Sequence, residues 1–321
     1  MMRYFVGAYA TAPITESWDP AVQGEYLQGL KAMPNVRGLE HPFTGTLHQE
    51  DDDWFLANID PDWDFVFTGL PGVMQRLGND ASFGLASTDE AGRQAALEFY
   101  QQARQAILKL NRHLGRKAVT ALLVHAAPRV TSEIGPDGTA LTKSLQTLAS
   151  RDWDGATLVL EHCDAQVPGQ SADKGFMHIE TEIEAVTTVN REASNPIGLC
   201  INWGRSALEA RSVDGPVAHL QAARDAGLLR GLMFSGVSGQ ESAYGAWRDT
   251  HMPPAQAFDI PAFEPCSLLT ETEFRRCLQV ADADALDFMG VKISVRPDAL
   301  SVDERLAYIA GALHILDQIN G

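Results

Sequence analysis

Short apolar runs alternate along this chain with longer stretches in which apolar residues recur every three or four positions. The runs are YFVGAY (4–9), VRGLEHP (36–42), DFVFTGL (64–70), VTALLVHA (119–126), ATLVLEH (156–162), PIGLCIN (196–202), LRGLMFS (229–235) and FMGVKIS (288–294). Rich in Val, Ile, Leu or Phe and bounded by Gly, Pro or charged residues, they predict eight strands buried on both faces, as in parallel sheets. Helical periodicity fills the gaps. Over 89–113 it places Ala95, Phe99, Ala103, Ile107 and Leu110 on one stripe, with Thr88 positioned as N-cap ahead of Asp89 and Glu90. Shorter helices fit 20–33, 139–150, 178–192, 216–227, 270–280 and 301–319, and Ser301 with Glu304 reads as a capping box opening the last. Strand–helix alternation from end to end predicts βαβ units, and eight of them an α/β fold of the (β/α)8 barrel type. No Ser/Gly linker or low-complexity stretch divides residues 1–321, which are read as one barrel domain.

The strands finish in polar residues. Alternate residues of a barrel strand point inward, and placing the large aliphatics outward gives one consistent parity. Facing in are Gly38 and Glu40; Val66 and Thr68; Ala121, Leu123 and His125; Val159 and Glu161; Gly198, Cys200 and Asn202; Gly231, Met233 and Ser235; Gly290, Lys292 and Ser294. Glu40, Thr68, His125, Glu161, Asn202, Ser235 and Lys292 would then share the C-terminal rim, where barrel enzymes carry their chemistry. An internal ion-pair network is the plain alternative, but such networks add little stability compared with apolar packing.

Two insertions follow strands on that same face. Residues 43–63 carry Trp54 and Trp63, and residues 236–268 contain Trp247-Arg248-Asp249-Thr250-His251. Loops of this length are usually lids or binding loops. Glu161 is the first candidate base and His125 its acid/base partner. Lys292 is the electrostatic stabiliser or, if desolvated, a Schiff-base amine. Glu40, Thr68, Asn202, Ser235 and the lid residues Trp247 and His251 would hold substrate hydroxyls, and Trp203 would stack on a sugar face. His162 has the wrong parity for the lumen; it joins the substrate-binding set only if the strand ends at Glu161, and otherwise braces the following loop.

Composition narrows the partners. With 321 residues, 45% hydrophobic and 21% charged, the chain can bury a sizeable core without a disulfide or metal. A net charge of −17 argues against nucleic acid and against an anionic membrane surface. The N-terminal segment is too short and too polar for a signal peptide, and no stretch reaches the length of a membrane span. Four cysteines without a CxxC pair suit a reduced, cytoplasmic protein. A homodimer is the default assembly.

GLEHPF at 38–43, LLVHAAP at 122–128, LVLEHCD at 158–164 and IGLCINWGRS at 197–206 together resemble the second-, fourth-, fifth- and sixth-strand motifs of the xylose-isomerase-like (sugar-phosphate isomerase/epimerase) barrels. GLAS at 84–87 and the W-x-D-x-H-x-P pattern at 247–253 are similar to the DUF4862 subfamily. The resemblance implies a carbohydrate or polyol substrate, proton transfer next to a carbonyl, and isomerase, epimerase or lyase chemistry. It also implies a divalent cation (Mn, Mg or Zn) held by a fifth-strand Glu, a sixth-strand Asp, a seventh-strand His and an eighth-strand Glu. Here those positions read Glu161, Asn202, Ser235 and Lys292. A positive charge at the last argues against the usual ion and leaves a displaced site of His125, Glu161 and His251 as the metal alternative. The rival function is a catalytically inert sugar-binding barrel that has lost the metal site.

Overall fold

The computed structural model describes residues 2–320 and closes eight parallel strands into a barrel in sequence order. The strands are β1 Tyr4–Val6, β2 Val36–Pro42, β3 Asp64–Thr68, β4 Val119–Val124, β5 Thr157–His162, β6 Gly198–Asn202, β7 Leu229–Phe234 and β8 Phe288–Val291. Pairing of Phe5 with both Gly38 and Gly290 joins β1 to β2 and β8 and completes the ring. Among the described residues eleven α-helices accompany it: α1 Ala8–Thr11, α2 Pro20–Lys31, α3 Asp52–Asn58, α4 Leu70–Leu77, α5 Glu90–Leu114, α6 Gly138–Ala149, α7 Ile179–Asn190, α8 Trp203–Ala210, α9 Asp214–Asp225, α10 Glu271–Ala281 and α11 Val302–Asn320. None of the described helices is long and apolar enough to cross a membrane.

Two cores result from strand alternation. Phe5, Val66, Ala121, Leu123, Val159, Cys200, Met233 and Phe288 fill the lumen, while the opposite faces pack on the helices in one larger cluster. The lumen holds two aromatic rings, Phe5 and Phe288, in edge contact with centroids 6.2 Å apart. They fit because Gly231 has no side chain: a Cβ there would lie 2.1 Å from the Phe288 ring. Above this plug, Glu40, Thr68, His125, Glu161, Asn202, Ser235 and Lys292 form a fully buried polar layer.

Element ends differ from expectation for local reasons. The first strand stops at Val6 rather than at residue 9, because Gly7 donates its N–H to Val291 and the chain then turns into α1 across the barrel mouth. Helix α1 is held by Thr11 Oγ1 on the Ile293 carbonyl at 2.5 Å and by Tyr26 Oη on the Ala8 carbonyl at 2.9 Å. The third strand ends at Thr68 and α4 follows directly, with Pro71 in its first turn. Asp89, not Thr88, caps α5, accepting from the Gly92 N–H at 2.7 Å. The Ser301–Glu304 box forms as expected, with Ser301 donating its N–H to Glu304 at 2.8 Å.

Candidate active site

The long insertion after β7 lies over the barrel mouth. Gly236 and Met252 exchange backbone hydrogen bonds, Ser294 donates its N–H to the His251 carbonyl at 2.7 Å, and its hydroxyl meets the Thr250 carbonyl at 2.5 Å. Trp247 and His251 take positive φ, 52° and 53°, which turns the intervening segment downward. Asp249 thereby enters the rim.

There it joins a buried chain of charges. Glu161 Oε2 accepts from His125 Nε2 at 2.8 Å, and Glu161 Oε1 lies 2.5 Å from Arg205 Nη1. That second contact is an ion pair whose N–H is not aimed along the line. Arg205 Nε reaches Asp249 Oδ2 at 3.0 Å, and Lys174 Nζ reaches the same oxygen at 2.8 Å. Lys174 is carried by the loop after β5, whose backbone N–H groups at 173 and 174 converge on Asp164 at 2.8–3.1 Å. On the far side of the lumen Lys292 Nζ meets Glu40 Oε1 at 2.8 Å and lies 5.1 Å over the Tyr9 ring.

These contacts set the protonation states. Burial alone would raise the Glu161 carboxyl, but Arg205, His125 and Lys292 hold it far below the usual carboxylate range. His125 is pushed down by burial against the pull of Glu161, so the imidazole is neutral; its Nδ1 faces Tyr100 Oη at 3.3 Å. Burial would lower Lys292, yet Glu40 and Tyr9 keep it protonated. This pairing favours the ammonium over the free amine that a Schiff base needs. Glu40 differs from Glu161 and Asp249, the other two rim carboxylates: burial raises it in spite of Lys292. Its Oε2 has no hydrogen-bond partner.

Glu40 is also the rim group that meets open space. A cavity of about 380 Å³ is lined by Glu40, Tyr9, Trp18, Gln23, His41 and His48 among others, drawing on α1, α2 and the insertion after β2. Its volume falls within the usual range for small-molecule sites, roughly 300–1,000 Å³. The aromatic side is built by Trp18 against Trp54, ring centroids 5.4 Å apart, and by His48 stacked on Phe55.

The remaining candidates scatter. Thr68 accepts from the Leu70 N–H at 3.4 Å where the chain turns into α4. Asn202 caps α8, accepting from the Arg205 N–H at 3.3 Å and the Ser235 hydroxyl at 2.8 Å, which leaves its Nδ2 alone unpartnered. Trp203, expected to stack on a sugar, is fully buried in the core between barrel and helices and presents no free face. His162 points out of the barrel, with Nδ1 2.7 Å from Glu182 and Nε2 3.0 Å from Glu209. Trp247 sits beneath the Arg211 guanidinium, 5.4 Å from the ring centroid. His251 lies 3.2 Å from Asp249 and is pushed down to about 3 by burial.

The displaced metal site of His125, Glu161 and His251 is not assembled. His125 and Glu161 instead have Cys163 beside them, the three ligand atoms within 4.8 Å of one another. That donor set does not suit a hard dication. Glu161 is already shared between an imidazole and a guanidinium, Cys163 is kept a thiol by burial, and Arg205 and Lys292 add two fixed positive charges. Sequence reasoning missed Arg205, Lys174 and Tyr9. Arg205 alone had a signal, since it stands three residues past the end of a strand and so in the first turn of whatever helix follows.

Known proteins share the family and the fold. The model of the domain of unknown function DUF4862 matches residues 5–308. The "Uncharacterized protein STM3670" of Salmonella typhimurium is 34% identical over 314 residues, 98% of this chain and 96% of that protein. Among solved structures, D-psicose 3-epimerase crystallised with D-fructose superposes with a TM-score of 0.55 at 13% identity, covering 100% of both chains. A xylose isomerase domain protein from Planctomyces limnophilus gives 0.55 at 15% identity over 99% of this chain and 96% of its own. At such identities the likeness is one of fold, the xylose-isomerase-like barrel.

Proposed function

We propose a function on the premise that this chain belongs to the DUF4862 family: it is a carbohydrate isomerase or epimerase that moves a proton next to a carbonyl, with fixed side-chain cations at the position of a metal. The observation that carries this reading is the Glu40–Lys292 pair beside the cavity, a carboxyl with a raised affinity for protons and one unpartnered oxygen next to a protonated amine at 2.8 Å. General bases work best when their pKa approaches the working pH, which favours Glu40 over the strongly acidic Glu161.

In this mechanism a ketose or aldose enters between Trp18 and Glu40 with its carbonyl oxygen towards Lys292 Nζ. Glu40 takes the proton from the neighbouring carbon, the electron pair moves onto the carbonyl oxygen, and Lys292 stabilises the enolate charge. Isomerisation follows when Lys292 gives a proton to the former carbonyl oxygen and regains one from the neighbouring hydroxyl, while Glu40 returns the carbon proton to the former carbonyl carbon; epimerisation follows when solvent protonates the opposite face of the original carbon and Glu40 releases its proton to solvent. Glu161, Arg205 and Asp249 hold the rim in shape, and His125 is a positioning residue through Glu161. The rival, an inert sugar-binding barrel, draws on the internal ion pairs of Arg205 with Glu161 and Asp249.

Incubating the protein with a panel of monosaccharides in D₂O separates the two. Proton NMR should show loss of the signal next to the carbonyl for at least one bound sugar. Glu40→Gln should slow that exchange by about 10²-fold or more while leaving binding within a few fold. Binding without exchange in the wild type would establish the inert reading, and unchanged exchange in E40Q would remove Glu40 from the mechanism.

A further inference from the structure

His162, which the barrel turns outward, lies in a second cluster of ligating groups drawn from four elements. His162 ends β5, His178 precedes α7, Glu209 lies on α8 and His219 on α9. We propose that these four residues form a Zn²⁺ site on the outer wall of the barrel, separate from the sugar cavity.

Three observations support it. The first is convergence: His162, Glu209 and His219 bring one ligand atom each within 4.8 Å of the others. Glu209 Oε2 lies 3.0 Å from His162 Nε2, while Glu209 Oε1 faces His219 Nε2 at 3.8 Å and His178 Nδ1 at 3.9 Å. The last two spacings are too long for hydrogen bonds. They are close to the separation of about 3.4 Å between neighbouring ligands on a tetrahedral zinc with bonds near 2.1 Å.

The second is the outer shell. His162 Nδ1 is tied to Glu182 Oε2 at 2.7 Å and His219 Nδ1 to Ser206 Oγ at 2.9 Å. Both rings therefore have their far nitrogen engaged and turn Nε2 towards Glu209, the arrangement that fixes the tautomer of metal-bound imidazoles. Glu182 is buried with Oε1 unpartnered, so its hydrogen-bonding capacity is directed at the His162 ring.

The third is ring placement and access. The His162 and His219 rings stand at 88° with centroids 4.7 Å apart. Two imidazoles bound radially to one tetrahedral ion would have centroids about 5 Å apart. His162 is wholly buried, but the His178 side chain is 55% exposed and opens the site to solvent. A set rich in imidazole selects zinc over magnesium or calcium.

Without an ion, His162 would be an imidazolium between two glutamates. That state accounts for its own two contacts but leaves His219 Nε2, His178 and Glu209 Oε1 facing one another without a bond. As zinc binds, the Nε2 proton of His162 leaves to solvent and the nitrogen–zinc bond takes its place, so affinity should rise with pH.

The test uses the untagged full chain, stripped with chelator and titrated with Zn²⁺ by calorimetry, with Co²⁺ absorption reporting geometry. One equivalent of Zn²⁺ per chain and tetrahedral Co²⁺ bands are expected. H219A and E209Q should weaken binding at least about tenfold, and E182Q by about 10–100-fold. H178A alters a side chain that is 55% exposed, and it should weaken binding too. E40Q and E161Q should leave it unchanged, which keeps this outcome independent of the sugar reaction. No stoichiometric uptake by the wild type, binding that survives both H178A and E209Q, or loss of binding in E161Q would each overturn the site.

Discussion

Replacing Arg205 with Met removes one cation from the middle of a buried chain while keeping the length of the side chain. In the native barrel Arg205 touches Glu161 at 2.5 Å and Asp249 at 3.0 Å, all three essentially without exposure. After substitution Asp249 retains Lys174 at 2.8 Å, but Glu161 keeps only the neutral His125 as a direct partner. Leaving a buried charge uncompensated costs about 3–5 kcal/mol. The loss should depend on pH, and its sign follows from Glu161. In the wild type its folded pKa lies below the unfolded value of about 4.3, so its contribution is fully present above that value and lost only in stronger acid. In R205M burial without the guanidinium raises the folded pKa above the unfolded one. The variant then gains stability as the pH falls through that raised value, by at most about 1.4 kcal/mol per pH unit. Urea unfolding at pH 7 and pH 5 should show the gap between wild type and R205M narrowing. The double variant R205M/E161Q should recover much of the loss at pH 7. A gap below about 1 kcal/mol, or one of equal size at both pH values, would refute the argument that Arg205 neutralises Glu161.

Gly7→Ala should disturb the Glu40–Lys292 pair directly, since a Cβ there would lie 2.7 Å from Lys292 Cγ and 2.8 Å from Glu40 Oε2. Overpacking of this kind costs about 1–3 kcal/mol, and a melting temperature equal to the wild type would show that the rim yields freely. The His162–Glu182 contact predicts an alkaline trend in the zinc-free protein. Burial would lower His162, but Glu182 and Glu209 raise it to about 10. Its stabilisation is thus present below about 6.5 and lost as the pH rises towards 10. E182Q should flatten that loss in urea midpoints taken from pH 6 to 9, and an unaltered slope would contradict it.

How far the sequence reached can be traced through particular residues. Parity placed Val66, Ala121, Leu123, Val159, Cys200 and Met233 in the lumen, and each is there, because strands buried on both faces carry a strict period of two. The same period put Glu40, Glu161 and Lys292 in one layer. It stops working one residue past a strand end. Trp203 begins a helix and swings into the core, and Tyr9 lies on a short helix where a strand was expected. Arg205, Lys174 and Asp249 come from a helix turn and two loops, so their meeting depends on long-range folding with no local pattern. The insertion after β2 was expected to be a binding loop and does line the cavity. The insertion after β7 closes the rim with Asp249, a contact no spacing along the chain encodes.

The charge arrangement at the mouth explains why Lys292 is compatible with a barrel of this family. Glu40, Glu161 and Asp249 are matched by Lys292, Arg205 and Lys174, while burial keeps His125 and His251 neutral. A bound dication would have to displace one of these cations or leave an excess of positive charge in a site of low dielectric. Conversely, a carbonyl oxygen gaining charge beside Lys292 needs no further ion, since the ammonium already lies in place and protonated. Its partner Glu40 is the rim carboxylate with a raised pKa and a vacant oxygen, so a carboxyl at the wall of the cavity has a fixed ammonium 2.8 Å behind it. Exchanging the pair by K292E/E40K would preserve the local charge sum but put the base where the electrophile stood. Stability near the wild type with loss of proton exchange would separate the catalytic role of the pair from its structural one, and exchange at the wild-type rate would show that the order of the two groups is immaterial.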